Sequence, residues 1–232
     1  MEPRSSRAAV DIDSLEIEDL RVAYQGAEVI HGVSLSASTS EIVAIVGENG
    51  AGKSTVLRAI TGFGRSETGR ITGGSIRFRR QDVTRANARR TARLGLTLVP
   101  EREKVFARLT VEENLHVPPG KSSVHERFED AVALFPRLGE VRRKKAGYLS
   151  GGERQMLAIA LALAAQPRML LVDELSLGLA PKMTEDLLAT IRQLRTERAL
   201  SFIVVEERLS LAQAVADRIY VMQDGLLDPK RK

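Results

Sequence analysis

The 232-residue sequence predicts an α/β fold: a core with a parallel sheet, an antiparallel β-subdomain and an inserted helical subdomain. Three observations predict it. Short continuous apolar runs at 41–47, 169–174 and 202–207 read as strands buried on both faces of a parallel sheet. Helical periodicity after Lys53, after Ser150, over 182–197 and over 208–217 alternates with those runs. Segments 15–24, 33–37 and 75–79 instead alternate apolar and polar residues, the mark of half-buried antiparallel strands at an edge. The stretch from about 86 to 165 reads as all-helical, with helix-start signals Thr110-x-x-Glu113 and Ser150-x-x-Glu153. Residues 15–85 and 166–228 are therefore assigned to the core and β-subdomain, and about 86–165 to the helical insertion. Residues 1–14 read as a disordered polar leader and 229–232 as a basic tail.

Composition removes several classes. With 43% hydrophobic and 28% charged residues the chain is of the soluble globular type, neither disordered nor fibrous. Zero cysteine excludes a disulfide framework, a thiolate metal site and a thiol nucleophile, and it suits a reducing compartment. The longest apolar run, Met156 to Ala165, is half of the roughly 20 residues a membrane-spanning helix needs. The positive excess is unevenly placed. Seven Arg against one Asp lie between Arg77 and Arg93, which is either a solvated face or a surface for nucleic acid, anionic lipid or an acidic partner.

The chemistry lies in three motifs. Gly47-Glu48-Asn49-Gly50-Ala51-Gly52-Lys53-Ser54-Thr55 follows one buried run and opens a helical segment. Its glycines let a loop turn N–H groups onto phosphates, and the helix N-terminus adds positive potential. Lys53 would reach the terminal phosphates and the Ser54 hydroxyl would ligate Mg²⁺, so the loop predicts ATP or another nucleotide with Mg²⁺. Leu170-Leu171-Val172-Asp173-Glu174 brings two carboxylates to the carboxyl edge of the sheet. Asp173 would hold Mg²⁺, and Glu174 would orient or deprotonate a water attacking the γ-phosphate. In Leu149-Ser150-Gly151-Gly152-Glu153, the pair Ser150 and Glu153 forms a capping box, and two glycines leave the helix N-terminus open to an anion.

With these motifs in this order, the sequence resembles the ATP-binding cassette (ABC) family from about residue 15 to 228. The resemblance implies a P-loop NTPase core and ATP hydrolysis. It implies that Ser150, Gly151, Gly152 and Glu153 cap, in trans, the ATP held by a partner cassette. By the same resemblance Tyr24 matches the aromatic residue that stacks on adenine, and Glu101 stands where the family usually has a Gln that approaches Mg²⁺. Ala180 stands where Asp is usual, and Glu207 where a switch histidine is usual. The histidines, His31, His116 and His125, all lie away from that position.

VPEREKVFARLTVEENL (99–115), LSGGERQMLAIALAL and DELSLGLAP look like the second ATP-binding subunit of branched-chain amino-acid importers. That branch implies a second, different ABC ATPase subunit as partner, with a homodimer open to the isolated chain. It also implies transmembrane permease subunits, an indirect link to a solute-binding protein, and a peripheral place on the cytoplasmic face of the plasma membrane, with no nucleic acid expected. Alternatives are another solute such as urea or amides, a cytosolic nucleic-acid-associated ABC ATPase, or a small-molecule P-loop kinase, which would leave LSGGE unexplained.

Overall fold

The computed structural model describes residues 13–63, 68–102, 104–118 and 123–230. Most of the expected leader lies outside them. Asp13 is already part of the fold, its carboxylate 2.8 Å from Arg79 Nε.

Strands β1 (Leu15–Tyr24) and β2 (Ala27–Ala37) pair antiparallel, and β4 (Gly69–Phe78) and β5 (Gln81–Asp82) extend them to a sheet of order β2-β1-β4-β5. This is the expected β-subdomain, with β2 beginning earlier than the run at 33–37 suggested. The second sheet holds β3 (Ile42–Val46), β6 (Leu96–Val99), β7 (Met169–Val172), β8 (Ser201–Glu206), β9 (Arg218–Gln223) and β10 (Leu226–Lys230), in the order β10-β9-β3-β8-β7-β6. All its neighbours run parallel except β9 and β10.

The apolar runs are continuous because each strand face meets a different core. Along β3, Ile42, Ala44 and Val46 join one cluster while Val43 and Ile45 join the other. Leu170 and Val172 separate from Met169 and Leu171 in the same way, as successive side chains of a strand must. One cluster takes Val56, Leu57 and Ile60 of α1 (Lys53–Thr61) together with Leu15, Leu20 and Phe78 of the β-subdomain. The other takes Leu157 and Leu163 of α6 (Gly151–Ala164) and Leu187 and Ile191 of α7 (Pro181–Arg198).

Three expectations need correction. The span 86–165 contains α2 (Ala88–Leu94), α3 (Val111–His116), α4 (Val124–Leu134), α5 (Arg137–Glu140) and α6, but it also contributes β6, the edge strand beside β7. Leu96 and Val99 are buried there, and four residues are too few for periodicity to tell strand from helix. The region after α8 (Leu209–Val215) forms the hairpin β9–β10, whose turn residues Asp224 (φ 48°) and Gly225 (φ 75°) match an Asp-Gly hairpin signal left unread in the sequence. That hairpin takes Pro229 and Lys230 into β10, paired with Tyr220 and Ile219, so the basic tail begins inside a strand.

Candidate active site

β3 lies between β8 and β9, and its carboxyl end delivers Gly47–Gly52 to the start of α1. Gly50 (φ 86°) and Gly52 (φ 106°) take left-handed conformations that strain other residues. Gly47 is needed for a different reason: a Cβ there would lie 2.2 Å from the Met222 carbonyl oxygen of β9. The hairpin buttresses the loop from behind, with Gly225 N donating to Ala51 O (3.1 Å) and His31 N to Gly225 O (2.9 Å). Among the described residues, the backbone N–H groups of Asn49, Gly50, Gly52, Lys53 and Ser54 have no partner within the chain, while Glu48, Asn49 and Gly50 are exposed. A cradle of free N–H groups at a helix N-terminus fits a polyphosphate. Thr55, next along α1, is half-buried.

Lys53 is 4% exposed, and its ammonium donates to Gly47 O (2.7 Å) and Glu48 O (2.9 Å). It also stands 3.7 Å from Glu174 Oε1. Ser54 Oγ donates to Asp173 Oδ1 at 2.9 Å, tying the phosphate loop to the end of β7. Burial pushes the Asp173 carboxyl up, opposed by the Ser54 hydrogen bond. Burial likewise pushes Glu174 up against the pull of Lys53, with the charges of Glu207, Asp173 and Glu101 adding to the rise. Glu174 has φ 53°, a left-handed conformation rare outside glycine. Glu174 thus faces the Lys53 ammonium while it feels the negative charges of Glu207, Asp173 and Glu101. A divalent cation brought with the phosphates would offset this negative charge, and Ser54 Oγ with Asp173 Oδ1 makes a hard-oxygen pair that would suit Mg²⁺. No cluster of three or more His, Asp or Glu that could hold a metal occurs among the described residues, so the remaining ligands would have to be phosphate oxygens and water.

The other sequence-predicted residues sort by distance from this centre. Glu101 follows β6, half-buried, and pairs with Arg102 at 3.1 Å; its charge reaches Asp173 and Glu174. Sequence reasoning missed Lys104, whose ammonium contacts Gln155 Oε1 of α6 and is depressed by burial and by Arg154. Glu207 is exposed just beyond β8. Tyr24 ends β1, its ring edge-on to Phe63 with centroids 6.0 Å apart. Ala180 is the N-cap of α7 and offers no side-chain acceptor, with Pro181 at the first helical position.

The signature segment is not what two free glycines suggested. Ser150 caps α6 by accepting from Glu153 N (3.2 Å), and Glu153 accepts from Ser150 N (3.0 Å), as the capping pattern predicts. Ser150 and Gly151 are exposed, but Gly152 is buried, and a Cβ on it would meet Met183 Cε of α7 at 2.0 Å. Glu153 is buried too, pairing with Arg137 at 3.0 Å and Lys144 at 3.7 Å. The Glu153 carboxylate is thus turned to these two cations, while Ser150 and Gly151 form the exposed part of the segment. Burial pushes Glu153 up, but the bonds from Ser150 N and Arg137 outweigh it and hold the carboxyl below its usual range. Its stabilising contribution is therefore complete above the unfolded carboxylate pKa and disappears as pH falls through the lower folded value. Glu153→Gln is expected to lower the melting temperature at neutral pH, and the gap to the parent should close below about pH 4. Melting curves across pH 3–8 check this, and a gap independent of pH would refute it.

The comparisons come down on the same architecture. The profile described as ABC transporter matches residues 30–176. The chain belongs to the ABC transporter family. The cassette is 38% identical over 214 residues to the high-affinity branched-chain amino acid transport ATP-binding protein BraG of Pseudomonas aeruginosa, covering 91% of this chain and 89% of BraG. It is 30% identical over 230 residues to BraF of the same organism, covering 91% of this chain and 88% of BraF. Among solved structures, an ATP-binding cassette of an ABC transporter in its ADP conformation superimposes with a TM-score of 0.82 at 26% identity, over 95% of this chain and 91% of that one. The cassette is an ABC-type ATPase, and the α/β expectation stands. No helix among the described residues is long and apolar enough to cross a membrane.

Proposed function

We propose that this cassette is one of two different ATP-binding subunits of an importer of branched-chain amino acids, held at the cytoplasmic face of the plasma membrane by permease subunits. The observation that carries it is the match to BraG along nine-tenths of the chain, with a weaker match to BraF. Two named ATP-binding proteins in one organism suit a heterodimer. In the proposed site, the loop N–H groups from Asn49 to Ser54 and the Lys53 ammonium bind the ATP phosphates. Ser54 and Asp173 would hold Mg²⁺, which would supply charge neutralisation on the phosphates. Glu174, raised above an ordinary surface carboxylate by burial, accepts the proton of the attacking water. Tyr24 offers a ring face to adenine. Ser150 and Gly151 would in turn meet the γ-phosphate of the ATP held by the second cassette, so closure of the pair depends on ATP.

The test is uptake of labelled leucine by cells or proteoliposomes carrying the whole transporter. ATP-dependent uptake lost on deletion of this subunit supports the reading. Uptake of urea or an amide in its place, or salt-sensitive binding to nucleic acid instead, would replace it.

Glu207 carries a separate expectation. A carboxylate at the switch position repels the γ-phosphate and lifts Glu174, so the isolated cassette should hydrolyse ATP slowly. Glu207→His should raise turnover, on the order of tenfold if one acid–base contact is restored. Unchanged phosphate release would show that this position does not limit the rate.

A further inference from the structure

Glu206 ends β8, is 2% exposed, and is given no role of its own by the sequence. A buried carboxylate needs partners, and both its oxygens have one. Oε1 accepts from Ser176 N at 2.8 Å and Oε2 from Ser176 Oγ at 3.0 Å. Ser176 Oγ in turn accepts from Arg208 Nη2 at 3.0 Å, which brings a cation to the buried charge. The backbone of the same residue reaches the other side of the site. Glu206 pairs in register with Val46, and its carbonyl accepts from Gly47 N, the first residue of the phosphate loop, at 3.4 Å.

Glu206 therefore spans two pieces of the site that no strand pairing joins directly: the phosphate loop and the turn after β7. That turn contains Glu174, whose φ of 53° persists only if its surroundings dictate it. Upstream, Asp173 N donates to Val99 O at 2.9 Å, and downstream Leu175 N donates to Val205 O at 3.4 Å. The Ser54 bond to Asp173 and the Lys53 pair with Glu174 hold the turn from the phosphate-loop side, and the Ser176 clamp holds it from β8 with two hydrogen bonds to a buried charge, which are the strong ones.

We infer that Glu206 is a positioning residue for ATP hydrolysis: by gripping Ser176 through both carboxylate oxygens, it holds Glu174 in its left-handed turn beside Lys53. The inference rests on the reading of Glu174 as the group that accepts the proton of the attacking water. It assigns Glu206 no contact with nucleotide. Its loss should therefore change turnover and leave binding alone.

The experiment uses the full chain, with phosphate release under saturating MgATP and Kd for a fluorescent ATP analogue. Glu206→Gln keeps the shape and the bond from Ser176 N, but it removes the negative charge that faces Arg208 through Ser176 and takes away the acceptor of the Ser176 hydroxyl proton. It should lower kcat about tenfold, the scale of a small misplacement of a reacting group, with Kd within about twofold of the parent. Ser176→Ala, which removes one bond of the same clamp, should lower kcat about threefold, and the double variant should be no slower than Glu206→Gln alone. A parental kcat in Glu206→Gln, binding lost in parallel with turnover, or additive losses in the double variant would each overturn the inference. If Glu206→Gln does not fold, the kcat and Kd of Ser176→Ala decide it in the same way. Glu174→Gln run alongside separates the two readings. If that variant turns over normally, the role of Glu174 fails and the inference with it; if it is inactive while Glu206→Gln is normal, only the inference fails.

Discussion

Glu174→Gln is expected to lower ATP turnover by about 10²- to 10⁴-fold, the range that a positioned general base contributes, while ATP affinity stays close to the parent. The amide keeps the size of the side chain but cannot accept a proton. It also removes the repulsion of Glu174 with Asp173, Glu101 and Glu207, so binding of MgATP should if anything tighten. Single-turnover phosphate release and equilibrium binding measured on one preparation check both halves. Turnover above a tenth of the parental rate would mean that the proton goes elsewhere, with Glu207 and Glu101 the next carboxylates to test.

Lys53→Ala should fail at the earlier step. Among the described residues its ammonium is the cation paired with Glu174, and it bridges Gly47 O and Glu48 O inside the loop. Two charge-assisted hydrogen bonds lost to phosphate oxygens correspond to about 3 kcal/mol, or roughly a hundredfold in Kd. The substitution also leaves Glu174 without the charge that draws its pKa down, so that carboxyl should rise further, while Asp173, held down first by the Ser54 hydrogen bond and Arg58, should move less. Isothermal titration with MgATP at constant salt measures the first effect. An unchanged Kd would show that Lys53 serves only to shape the apo loop.

The motifs were legible because they are local. The phosphate loop must pair glycines with a following Lys and Ser whatever surrounds it, and Ser150 with Glu153 signals a helix start from four residues alone. Local signals were also incomplete. Two adjacent glycines suggested an open anion surface, but they do not show that Gly152 packs against the end of the Met183 side chain or that Glu153 pairs with Arg137 and Lys144. β6 was hidden because a four-residue strand has no period to read, and its neighbours on both sides are helical.

The sequence by itself determined the parallel core, the β-subdomain, the phosphate loop and the acid pair, since each depends on spacing within one short segment. Only the tertiary structure decided how those segments support one another. Gly47 must be glycine because β9 crosses behind it, and Ala51 is held by a turn far along the chain at Gly225. The left-handed turn at Glu174 is flanked by a clamp from Glu206, 30 residues away from its partner Ser176. Such contacts join residues distant in the chain, and hydrophobic pattern and motif spacing carry information only about neighbours. The segments that carry the proposed catalytic groups were therefore readable in advance, while the side chains that brace them became visible only once the sheet had brought its strand ends together.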